Sequence, residues 1–151
     1  MSIINCRKVL LLSREERTLC IHAVFWLLKT FIYLKVFPYQ RVLIIIRKQA
    51  EKPVIHPSDR ILSADYICVL IEKCARNLPI VLTCLPQALA GYVICRKYGY
   101  KTKLRIGARK APSSGFRAHA WLEFEGRIIM GNLMDIKSYA VFENESNSIS
   151  E

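Results

Sequence analysis

Between Leu19 and Leu34 nearly every position is apolar, the exceptions being His22, Lys29, Thr30 and the amphipathic Tyr33. Ahead of this run stands Ser13-Arg14-Glu15-Glu16, a spacing in which serine and glutamate can each satisfy the other's free backbone amide at a helix start. A first helix is therefore predicted from Ser13, with Pro38 as its stop. Lys29 and Lys35 interrupt it before the roughly twenty apolar residues of a membrane-spanning helix. A buried core helix is the first reading; a helix lying on a membrane or against a partner protein is the alternative. Val42 to Ile46, inside Arg41–Arg47, fits either a strand or a short helix. Pro53 to Asp59 reads as a connector.

A second helix is predicted from Ser58 or Ser63 to about Asn77-Leu78-Pro79, because Ile67, Leu70, Ile71 and Cys74 recur at three- and four-residue spacing. A third begins at Cys84. Thr83 is its candidate cap, and Pro86 falls where a missing amide hydrogen costs nothing. Leu85, Ala88, Leu89, Tyr92 and Val93 form its apolar stripe, and Gly99 is a natural stop. Beyond Gly99 the period becomes alternating. Strands are predicted at Tyr100–Gly107, Phe116–Phe124 and Arg127–Met130, with a loop at Ala111–Gly115 and a hairpin turn at Glu125-Gly126. No internal repeat is visible. Helices followed by an antiparallel sheet make an α+β chain. Residues 1–145 are expected to form one domain, helical over about 13–98 and sheet over about 100–142, and 146–151 a frayed tail.

The 151 residues, 52% of them hydrophobic, suffice to bury roughly two thirds of the unfolded chain's surface without disulfides. Six cysteines, none in a Cys-x-x-Cys pair, and three histidines without a His-Glu-x-x-His motif suggest neither a structural nor a catalytic metal. Arg7 and Lys8 near the start, with no small-residue cleavage pattern after the apolar stretch, give no secretory signal. A cytoplasmic protein with reduced thiols is expected. The net charge of +11 is spread over both halves. Locally, though, Arg96, Lys97, Lys101, Lys103, Arg105, Arg109, Lys110 and Arg117 follow one another with no acidic residue between. Such a stretch suits an acidic peptide, an anionic membrane, nucleic acid or simply a solvated face. No nucleic-acid module is recognisable, so no nucleic-acid partner is expected.

Two residues carry candidate chemistry. Cys84 falls at a predicted helix N-terminus, where free amides and the helix dipole favour a thiolate and can face a developing oxyanion. A buried cysteine that happens to open a helix is the plain alternative. His119 sits in Ala118-His119-Ala120-Trp121-Leu122-Glu123-Phe124. Alternation puts it on one face with Trp121 and Glu123, between two alanines that leave a neighbour room to approach. An ordinary half-exposed strand histidine fits the same pattern. Hairpin closure at Glu125-Gly126 pairs Phe124 with Arg127, Leu122 with Ile129, Ala120 with Gly131 and His119 with Asn132. Asn132 could then orient the ring, and Asp135 could do so if the strand bulges or curls after Gly131. Trp121 would shield the pair or wall a groove.

Cys84-Leu85 with Ala88-Leu89, Tyr98-Gly99-Tyr100, Leu104 to Ala108, and Phe116 to Glu123 with Gly126-Arg127 together resemble the lasso-peptide leader peptidases. More narrowly, they resemble the stand-alone (B2-type) subunit, of the transglutaminase-like cysteine protease superfamily. The resemblance spans about residues 10–142. It implies a papain- or transglutaminase-like fold and a cysteine protease that removes the N-terminal leader from a ribosomally made precursor. Cys84 would be the nucleophile, His119 the general base and acid, and the amides of Cys84 and Leu85 the oxyanion site. No cofactor is implied. The family's aspartate, twelve residues past the histidine, corresponds here to Gly131, so Asn132 or Asp135 would substitute for it, or the dyad would work with backbone orientation only. Implied partners are the precursor's leader segment, a small leader-recognition protein and a lasso cyclase. Trp121, Lys101, Lys103, Arg105, Arg109, Lys110 and Arg117 are candidate substrate or partner contacts. The alternatives are an amide-forming acyltransferase and a non-catalytic scaffold on a membrane or partner, with peripheral membrane contact.

Overall fold

A computed structural model describes residues 12–51, 62–111 and 115–142. The expected connector, Cys6, His56, Ser58, loop residues 112–114 and the tail after 142 lie outside them. Among the described residues four α-helices come first: α1 (Arg14–Val36), α2 (Tyr39–Ala50), α3 (Ala64–Asn77) and α4 (Cys84–Lys97). Strands β1 (Lys103–Ala111), β2 (Gly115–Phe124), β3 (Arg127–Met130) and β4 (Ala140–Val141) follow. They make one antiparallel sheet in the order β3-β2-β1-β4. The α+β order is the predicted one.

The helix ends follow the local sequence. The Ser13 amide donates to Glu16 Oε2 at 2.7 Å and the Glu16 amide to Ser13 Oγ at 3.2 Å, completing the capping box. Ser63, not Ser58, caps α3, accepting from the Tyr66 amide. At the end of α4, Gly99 has φ +76°. The Tyr100 amide donates to Cys95 O and the Gly99 amide to Arg96 O, the bond pattern of a Schellman stop. This explains why β1 begins at Lys103 rather than Tyr100. Tyr100 is taken up by the cap, and its hydroxyl donates to Leu62 O at 2.8 Å.

Tertiary packing settles what the pattern left open. The β-branched run at 42–46 is helical because Val42, Leu43, Ile46 and Ala50 line one face of α2, which packs against α4. Burial of such a stripe outweighs strand preference. Helix α4 touches α1, α2, α3, β1 and β2. Its burial is therefore wider than the expected stripe and takes in Ala90, Gly91, Ile94 and Cys95.

Helix α4 packs against strand β2. A β-carbon on Gly91 would lie 2.9 Å from Leu122 Cδ1 and from Met130 Sδ. Beyond the end of α4, the Tyr100 ring meets Phe124 edge-on at 5.4 Å.

The hairpin departs from its expected register. Phe124 pairs with Arg127, but Leu122 pairs with Met130 rather than Ile129, because β3 carries one extra residue opposite Leu122/Glu123. A bulge of this kind shifts every later pairing by one, so the expected His119–Asn132 pairing does not form.

Candidate active site

Cys84 is the half-buried first residue of α4, and Thr83 makes no side-chain cap bond. Pro86 has no N–H. The amides of Cys84 and Leu85 are thus the first-turn donors that the helix itself does not use. Two contacts fix this turn: Gln87 Nε2 donates to Leu82 O at 2.8 Å, and the buried Thr30 hydroxyl of α1 lies 3.0 Å from Pro86 O.

Other cysteines have different surroundings. Cys68 and Cys95 are buried with sulfurs 3.8 Å apart. That contact, then burial, pushes the Cys68 thiol far above its ordinary range. Burial, with Cys20 nearby, pushes Cys74 up to about 12. Both stay protonated at neutral pH and fill space like small hydrophobes. Cys84 differs in standing at a helix mouth.

His119 is half-buried near the middle of β2, opposite Gly107 of β1. Its ring stacks on Trp121 (centroids 6.1 Å, 17°) and leans on Tyr139 (5.8 Å). Nε2 lies 2.7 Å from the carbonyl oxygen of Gly131. A carbonyl can only accept, so the neutral ring carries its proton on Nε2 and keeps its basic lone pair on Nδ1. The partner of Nε2 is thus a backbone oxygen, not the side chain of Asn132 or Asp135. Asn132 is exposed. Asp135 Oδ2 pairs with Arg109 at 2.7 Å, and that guanidinium also lies over the Tyr139 ring.

The backbone at Gly131 is held from the other side as well. Its amide donates to Glu72 Oε1 of α3 at 3.4 Å. Gly131 has φ +74°, and a β-carbon there would sit 2.9 Å from Ala120 O and 3.3 Å from Trp121. Sequence reading had no signal for Glu72 or Tyr139, because both arrive through tertiary packing. In the sequence Gly131 stands out as a hairpin partner of Ala120 and for the aspartate it lacks, not as a partner of His119.

Trp121 is buried and donates from Nε1 to Glu123 Oε1 at 3.0 Å. It backs the imidazole rather than walling an open groove. Two of the basic candidates are neutralised by acids from later in the chain: Arg105 by Glu123 at 3.0 Å and Arg109 by Asp135. Lys101, Lys103, Lys110 and Arg117 are exposed. Among the described residues no three metal-ligating side chains converge.

The profile of the transglutaminase-like superfamily matches residues 26–144, a span holding both Cys84 and His119. The chain belongs to the transglutaminase-like superfamily. No curated protein and no solved structure matches it. The transglutaminase-like superfamily includes cysteine proteases and acyltransferases, and cysteine-dependent enzymes are common in it. Four helices ahead of a small antiparallel sheet fit a transglutaminase-like domain.

Proposed function

We propose that this protein is a cysteine peptidase that removes the leader from a lasso-peptide precursor, with Cys84 as nucleophile and His119 as base. The observation that carries the reading is the bond from His119 Nε2 to Gly131 O. It orients the ring and reserves Nδ1 for a proton from a thiol at the mouth of α4. Asn132 and Asp135 are not needed for this, because a carbonyl does the orienting. A thiol also depends less than a hydroxyl on a third residue, since it ionises more readily.

In the proposed reaction Nδ1 takes the Cys84 proton and the thiolate attacks the scissile carbonyl. The amides of Cys84 and Leu85 hold the oxyanion. The imidazolium then protonates the leaving amine, which departs as the new N-terminus of the core peptide. Water deprotonated by His119 attacks the thioester, releasing the leader as a carboxylate and restoring the thiol. The partners inferred with this role are the precursor, a small leader-recognition protein and the cyclase that uses the new amine.

The test is to incubate the protein with a precursor and its leader-recognition protein and to weigh the products. Cys84→Ala should abolish cleavage, and His119→Ala should slow it at least about a hundredfold. Full activity in either variant would remove the mechanism. An amide adduct in place of a free leader carboxylate would instead make the protein an acyltransferase.

A further inference from the structure

Helix α1 has two apolar sides, and the core uses only one. Leu19, Ala23, Trp26, Leu27 and Thr30 are buried against the rest of the domain. On the other side Ile21, Phe25, Leu28, Ile32 and Val36 are 69%, 54%, 38%, 54% and 65% exposed. Their spacing of four, three, four and four residues keeps them in one stripe about 22 Å long. Along it lies a shallow groove of about 300 Å³ lined by Phe25, Leu28, Lys29, Ile32 and Tyr33.

The charges beside the stripe have one sign. Arg14, Arg17 and Lys35 are exposed on its line or flank. The Lys29 ammonium lies 5.4 Å from the Phe25 ring and 5.5 Å from that of Tyr33. Glu15 and Glu16 turn to other sides of the helix by the 100° step, and Glu16 is engaged by Ser13 and Tyr66. The whole chain carries +11. What covers the stripe must therefore be apolar beneath and anionic above. A lipid surface moulds to a convex stripe, whereas a protein partner needs deeper pockets for its anchoring side chains.

We propose that α1 docks the folded domain flat onto an anionic lipid surface, its outer stripe toward the acyl chains and its basic residues among the headgroups. Contrary to the expectation that Lys29 and Lys35 cut the run too short, the helix is long and apolar enough to cross a bilayer; its inner face is committed to the core, however, so it lies on the surface instead of spanning it. Lysines whose stems run over aromatic rings suit that boundary.

The test is co-sedimentation of the full-length protein with phosphatidylglycerol or phosphatidylcholine vesicles. Binding to phosphatidylglycerol should exceed that to phosphatidylcholine at least about tenfold and weaken in high salt. Phe25→Ser with Ile32→Ser should lower it at least about tenfold, and Arg17→Glu with Lys35→Glu should remove the lipid preference. Circular dichroism confirms that each variant folds, and Val69→Ser on α3 is the exposed-apolar control that should bind normally. Absence of sedimentation, equal binding to both lipids, or unchanged binding by the double serine variant would overturn the proposal. So would a concentration-dependent dimer that leaves vesicles alone, which would give the stripe to a second copy of the chain.

Discussion

Gly131 stands twelve residues past His119, and its backbone shows why an acid cannot simply be placed there. At φ +74°, with Ala120 O and Trp121 against the space a β-carbon needs, any L side chain is strained. The left-handed backbone alone costs about 1–2 kcal/mol. Gly131→Asp is therefore expected to lower the urea midpoint and slow precursor cleavage, because it displaces the carbonyl that holds His119. A variant as stable as the parent and faster would show that the imidazole prefers a carboxylate. Glu72 secures the same residue through its amide. Glu72→Ala should reduce kcat about tenfold by loosening the ring's support, while Glu72→Gln, which still accepts a hydrogen bond, should keep most of it. Asn132→Ala should leave kcat near the parent value. Steady-state kinetics separate these outcomes.

At the scale of elements, α3 is tied to its neighbours by two exposed pairs. Asp65 is gripped by Arg127 of β3 and Tyr66 by Glu16 of α1. The Arg127 hydrogen bonds hold the Asp65 carboxyl below its usual range, and the Tyr66 hydroxyl does the same for Glu16. Depressed folded values mean that the unfolded chain binds protons more tightly. The contribution is therefore full above the ordinary carboxylate range and is lost as pH falls through the depressed values. The melting temperature should drop as pH falls below about 4, and Asp65→Asn or high salt should flatten that slope. An unchanged slope in the variant would place the acid sensitivity elsewhere. Neither pair was visible in the sequence, since the partners lie 62 and 50 positions apart. Legible features were those written within one turn: Ser13 with Glu16, Ser63 before α3, Gly99 after α4, and the tight turn at Glu125-Gly126. The extra residue in β3 and the helical state of 39–50 were not legible, because what decides them is packing against other elements.

The packing of α4 against β2 joins the two elements that carry the chemical residues, and the helices also sort the cysteines. Cys68 and Cys95 sit between α3 and α4 in the core, Cys74 is held protonated by burial, and Cys84 opens α4 with unused amides around it. Thiolates, not thiols, react with alkylating reagents. Iodoacetamide at neutral pH should then label Cys84 ahead of Cys20 and Cys74, and reach Cys68 and Cys95 only in urea, as read by peptide mass. The decisive comparison is with His119→Ala. If the imidazole takes the Cys84 proton, removing it should slow labelling of Cys84 about tenfold or more and leave the rate at Cys20 unchanged. Equal rates at Cys84 in the two proteins would leave the fold and the superfamily intact. They would also show that sulfur and ring do not share a proton, and the proposed peptide hydrolysis would then lack its base.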